Sequence, residues 1–242
     1  MIRTGIILPT FRDTPEEALS AAHQAVSAGV DGVFCYDHIW PMGEPDRPAL
    51  APFPVLGLLA STLAATAPDG GGPFLGTLVA RVGLVPNAVL AGQFRALAHL
   101  APGRVIAGLG TGDRLSAAEN LAYGIPFAPV PERRGDMVQL ARTLMGEGMT
   151  VWLAGGPGGR TEESTATGAA LNLWDADPHL VATRRAGRGA PEVTWGGPPP
   201  RTGAALAGTV GDLARAGATW AIFGWPVDLA ALVAAAGAAR PR

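Results

Sequence analysis

Short apolar runs recur along this chain, and most are followed by a longer stretch whose apolar positions repeat at helical spacing. Residues 5–9, 30–36, 74–79, 104–109, 150–154, 170–174, 192–195 and 219–224 read as eight strands. Unbroken apolar strands of this kind are buried on both faces, as in a parallel sheet. The first helix carries its own punctuation. Thr14 is expected to cap it, with Pro15 at the first position, Glu16 and Glu17 at the positive end of the dipole, and Gly29 just past its end at Ala28. Further helices are expected at 54–67, 87–100 (capped by Asn87), 131–146 (opened by Pro131), 162–168, 202–216 and 227–239. Strands alternating with helices predict an α/β protein with parallel pairing. Eight strands is the number that closes a cylinder with a packed interior. The expected fold is therefore a (β/α)8 TIM barrel, one domain over residues 1–242, with compact connections in its second half. An open doubly wound sheet is the competing architecture.

Composition narrows the field. With 48% hydrophobic residues and a mean hydropathy of +0.23, the chain has ample material for a core. Only 16% of residues are charged and the formal net charge is −2, which gives no clustered basic surface for nucleic acid or an anionic membrane. No apolar stretch suits a bilayer span, and the chain starts on a strand-like segment rather than a leader; a soluble cytoplasmic protein is the expectation. Cys35 is the sole cysteine and lies in the apolar run 32–36, so a buried thiol is expected in preference to a nucleophile. All 18 basic residues are arginine, so any long cation that meets a phosphate here presents a planar fork of donors.

In a barrel of this class, chemistry gathers where strands end and βα loops begin. The second strand runs into Tyr36-Asp37-His38-Ile39-Trp40, which crowds a carboxylate, an imidazole and aromatic rings at one exit. An adjacent carboxylate can raise the basicity of a histidine and fix its tautomer, although a local turn would use the same residues. The fourth strand leaves through Gly108-Leu109-Gly110-Thr111-Gly112-Asp113, where small residues let the backbone approach a flat ligand. The fifth leaves through Gly155-Gly156-Pro157-Gly158-Gly159-Arg160-Thr161, a loop entering a helix and suited to an anion. The four histidines lack metal-ligand spacing, and neither a nucleophile elbow nor a P-loop is present.

Taken together these segments resemble the luciferase-like monooxygenase family, which includes flavin-dependent monooxygenases and F420-dependent oxidoreductases. The resemblance runs from Gly5 to about Trp174 and is strongest over VPNAVLAGQFRALAHLAPGRVIAGLGTGD. It implies that His38 and Trp40 face the reactive ring, with Asp37 beside them, and that Asp113 donates a proton. It places a non-proline cis peptide at Leu78–Val79, after Thr77, beneath the ring. It assigns the cofactor's phosphate to Thr111 and Arg133, between Gly110 and Gly112 on one side and Gly155, Gly156 and Arg160 on the other. Two departures stand out: the chain is shorter than the family usual, and its sixth strand ends in Leu171-Asn172-Leu173-Trp174 in place of an Asp-Gly-Trp-like ending.

The resemblance implies an F420-dependent oxidoreductase acting on a small organic molecule, with no metal. An FMN-dependent monooxygenase and a flavin-binding homologue without turnover are the alternatives. A homodimer is expected through apolar faces at 56–65 and 88–100, although core packing explains those faces equally well.

Overall fold

The computed structural model describes residues 2–41, 43–64, 72–156 and 158–239. Its strands are β1 (Arg3–Ile7), β2 (Gly32–Cys35), β3 (Phe74–Thr77), β4 (Ala80–Arg81), β5 (Val105–Gly110), β6 (Thr150–Ala154), β7 (Ala170–Trp174), β8 (Val193–Gly197) and β9 (Trp220–Gly224). Every pairing among them is parallel. Strand β1 pairs with both β2 and β9, and the ring closes where Leu75 and Gly76 of β3 pair with Val105 and Ile106 of β5. That closure excludes the open doubly wound sheet. The third stave is in two pieces, β3 and β4, on either side of a cis peptide at Leu78–Val79; both pieces pair with β5, so eight staves make the barrel.

Helices α1 (Glu16–Ala28), α2 (Pro52–Ala64), α3 (Asn87–Leu100), α4 (Ser116–Ala122), α5 (Val130–Gly146), α6 (Glu162–Thr167), α7 (Pro178–Arg185), α8 (Gly203–Arg215) and α9 (Leu229–Ala238) surround it. Two of these, α4 and α7, were not expected from the sequence. Helix α7 has a legible start, since Asp177 accepts the His179 N–H at 2.7 Å and Pro178 follows at the first position. Two expected caps are displaced. Pro15, not Thr14, holds the cap position of α1, and Asn87 is the first helical residue of α3, its amide donating instead to the Asp136 carbonyl. The expected tail of the second helix at 65–67 lies outside the described residues. No helix among the described residues is long and apolar enough to cross a membrane.

Two apolar cores follow from the barrel. The larger lies between the strands and the helices and includes Leu56, Leu59, Phe94 and Leu140. The smaller fills the barrel with Ile7, Phe34, Leu78, Ile106, Trp152, Trp220 and Ile222. Inside it Phe34 stacks on Trp152 at 5.4 Å and meets Trp220 edge-on at 5.8 Å. The ring of Phe34 occupies space that side chains would otherwise take: a Cβ at Gly5 would stand 2.8 Å from it and one at Gly76 3.0 Å. Large rings and bare backbone thus alternate around the interior, as a tight cylinder requires.

Because glycine cannot expand to fill a hole, Phe34→Ala should cost about 3–5 kcal/mol. Denaturant unfolding of wild type and variant measures it; a loss below about 1 kcal/mol would show that the interior is not packed as described.

Candidate functional site

A cavity of about 880 Å³ opens at the C-terminal ends of the strands. Its floor is Leu78 and Val79. Its walls come from the ends of β2, β5, β6 and β7, with Phe11 from the β1–α1 connection. An aromatic bar crosses the mouth. Phe11 stacks on Tyr36 at 5.6 Å with the rings 6° from parallel, and Tyr36 meets Trp174, on the far strand β7, at 6.1 Å. Burial pushes the Tyr36 hydroxyl up to about 12, so it remains a phenol at neutral pH.

Beside the bar sits a histidine held by a buried carboxylate. His38 Nδ1 is 2.7 Å from Glu119 Oε1, and the Ile39 N–H donates to Glu119 Oε2, also at 2.7 Å. Glu119 comes from α4 and is 1% exposed. A buried carboxylate needs partners of this kind, since an unpaired one is costly. An ionised carboxylate only accepts, so the shared proton belongs to Nδ1 and Nε2 is left for the cavity. Arg81, itself 4% exposed, places Nη2 at 3.2 Å from Glu119 Oε2 as an ion pair without hydrogen-bonding geometry. Its Nη1 donates to the Ser116 carbonyl, while Nε and Nη2 make no hydrogen bond within the structure. Arg81 is therefore a buried cation in the cavity wall, committed to Glu119.

The loop after β6 also lines the cavity. Gly156 and Gly158 have positive φ, and nothing stands within 4 Å of where their side chains would begin. This open cradle is flanked by Arg160 and Arg134, which share Glu163 at 3.9 and 3.6 Å. Helix α6 has six residues, so the cradle relies on the arginines and the open backbone more than on a helix dipole.

Several expected site residues do meet here: His38, Leu78, Val79, Gly110, Thr111, Gly112, Asp113, Gly155, Gly156 and Arg160 all line the cavity. The Leu78–Val79 peptide is cis, where the resemblance placed such a bond. Asp113 is at the rim, with its carboxylate accepting the N–H groups of Leu115 and Ser116. Four expected residues are elsewhere. Trp40 is 8% exposed and packs on Tyr123 at 5.9 Å, because capture of the Ile39 N–H by Glu119 turns the chain away from the mouth; the tryptophan at the cavity is Trp174. Asp37 is half-buried and accepts the Arg81 N–H at 2.9 Å, so the carboxylate that holds His38 is Glu119 and not its neighbour. Thr77 is buried with its hydroxyl on the Gly108 carbonyl at 2.7 Å. Arg133 is buried against Phe127 and donates to the carbonyls of Ala128, Thr111 and Gly112, so it braces the rim loop, and its neighbour Arg134 lines the cavity instead. Glu119, Arg81, Arg134 and Trp174 were missed. The signal for Glu119 was Asp113 three residues before Ser116, a helix start that places the glutamate one turn in.

With this geometry in place, comparison with known proteins is informative. The F420-dependent glucose-6-phosphate dehydrogenase of Beutenbergia cavernae is 32% identical over 138 residues, 55% of this chain and 37% of that protein. The enzyme of the same name from Intrasporangium calvum is 36% identical over 134 residues, 55% of this chain and 38% of its own length. The chain thus matches little more than a third of each curated relative's length. No family model matches the chain. Among solved structures, an F420-dependent secondary alcohol dehydrogenase in complex with an F420-acetone adduct superposes with a TM-score of 0.74 at 15% identity, over 99% of both chains. The two barrels share one fold. The resemblance to the luciferase-like family read from the sequence is borne out by these likenesses.

Two tests address the network. Glu119→Ala should remove about 3 kcal/mol of stability and let His38 populate both neutral tautomers, read from ¹⁵N shifts of labelled histidine; an unchanged tautomer would dismiss the positioning role. Burial raises the Asp37 carboxyl above its ordinary 3.8, against the lowering effect of the Arg81 N–H and of the Arg81 and His38 charges. The folded state then holds that proton more tightly, so this group's contribution to stability falls as pH climbs from 3.8 through the raised value. Asp37→Asn should lack that slope, gaining on wild type across the same window; parallel pH–stability curves would contradict it.

Proposed function

We propose that this chain is an F420-dependent oxidoreductase, acting as one barrel domain on a small organic substrate. The observation that carries the reading is one cavity with a flat apolar floor, a carboxylate-held histidine and an open glycine and arginine cradle. The likeness to F420-dependent enzymes in sequence and in fold supports it.

The residues present fit a flat, phosphate-bearing cofactor. Leu78 and Val79 offer an apolar surface for a ring system. The space over Gly156 and Gly158, with Arg134 and Arg160 beside it, suits a phosphate. When bound, the deazaflavin supplies the site that accepts or gives a hydride. The chain's own part is proton handling and placement. With Nδ1 on Glu119, Nε2 of His38 takes the hydroxyl proton of an alcohol, or returns one to a carbonyl oxygen. Glu119 fixes the ring that does so and favours the imidazolium that forms. The aromatic bar narrows access of water from one side of the mouth.

We further propose a homodimer through the outer faces of α2 and α3, where Leu58, Val89 and Leu100 are 45%, 49% and 53% exposed.

Titration with F420, followed by its fluorescence, should give saturable binding that is much tighter than that of FMN. Arg160→Ala should weaken it about tenfold or more, the scale of one charge-assisted hydrogen bond. Preference for FMN would favour the monooxygenase reading, and absence of binding to either would sink both.

A further inference from the structure

The oxidoreductase reading leaves the substrate open, and the distribution of charge and rings around His38 narrows it. Any oxygen hydrogen-bonded to His38 Nε2 lies among aromatic rings. Phe11 is 6.2 Å and Tyr36 6.4 Å from the imidazole, centroid to centroid, and Tyr36 continues to Trp174. Trp174 is 52% exposed and lines the cavity. Its indole rests against the bare backbone of Gly196, where a Cβ would stand 3.3 Å from the ring. An indole backed in this way and open to the mouth is a ready stacking surface.

The cations of the cavity are already engaged. Among the described residues, the arginines lining the cavity are Arg81, Arg134 and Arg160. Arg81 is matched by Glu119 at 3.2 Å. Arg134 and Arg160 stand together at the glycine cradle, where the cofactor's own phosphate belongs, and already share Glu163. The sequence has no lysine to add. Among the described residues that line the cavity, no unpaired arginine is left for a second phosphate near His38, and burying a dianion without one is costly. The cavity volume of about 880 Å³ is near the top of the usual range for small-molecule sites, so room for a second molecule is not the limit.

We propose that the substrate taken at His38 is an uncharged, ring-bearing alcohol or its carbonyl partner, held by its apolar face against Tyr36 and Trp174, and not a sugar phosphate. This rests on the oxidoreductase reading for the role of His38, and it separates the chain from its curated relatives, whose name specifies glucose 6-phosphate.

Calorimetric titration of the F420-loaded protein with benzyl alcohol and with glucose 6-phosphate tests it. The alcohol should bind saturably, glucose 6-phosphate should give no saturable heat in the same concentration range, and Trp174→Ala should weaken the alcohol about tenfold, the upper end of what one aromatic contact contributes. Saturable binding of glucose 6-phosphate, failure of the alcohol to bind, or an alcohol affinity unmoved by Trp174→Ala overturns the proposal. Titrating F420 into the chain first keeps the two questions apart. If F420 does not bind, the cofactor reading falls, yet the aromatic wall must still discriminate the same two probes in the chain alone. If F420 binds and the probes reverse, the substrate class alone is wrong.

Discussion

A closed cylinder of eight parallel strands has space inside for only a few large side chains, and in this protein Phe34, Trp152 and Trp220 take most of it. They fit because neighbouring strands offer backbone in place of side chains, as Gly5 and Gly76 do on either side of Phe34. Closure through β3 and β5 follows from that fit, and the site depends on closure. Leu78 and Val79 are the top of this interior and, on their upper side, the floor of the cavity. The same packing that stabilises the barrel therefore sets the height at which a ligand rests.

Above the floor, one buried carboxylate organises one end of the cavity. Glu119 gathers His38, the Ile39 N–H and Arg81, which belong to two different strand ends. Its desolvation is offset only while these partners stay in place, so the arrangement is stiff. The stiffness has two consequences. Nδ1 of His38 is committed, leaving Nε2 for chemistry, and the chain beyond Ile39 is turned so that Trp40 packs on Tyr123. The cradle after β6 is built differently, from open glycine backbone and paired arginines that can exchange Glu163 for a bound anion.

Much of this was legible in the chain. Apolar runs at strand length gave the eight staves, because a strand covered on both faces has no reason to alternate. The exits of β2, β5 and β6 could be picked out because polar and glycine residues interrupt apolar runs there. The order of those exits around a barrel then brings His38, Thr111, Gly156 and Arg160 to one rim. What the sequence could not decide was direction. Arg133 and Arg134 are adjacent and chemically alike, yet one braces the carbonyls of Thr111 and Gly112 while the other reaches the cavity. That difference is set by about 100° of rotation around α5, and therefore by how the helix docks. Asp37 and Glu119 are both carboxylates near His38, and sequence proximity pointed to the wrong one. The partner comes from 81 residues away, on the short helix α4. Local pattern determines which segments are strands and where chemistry can gather, because burial and backbone freedom are properties of a few neighbouring residues. Which carboxylate holds the histidine, and which arginine and which tryptophan face the ligand, are decided only when distant segments are packed together, because those choices minimise unpaired charge over the whole rim.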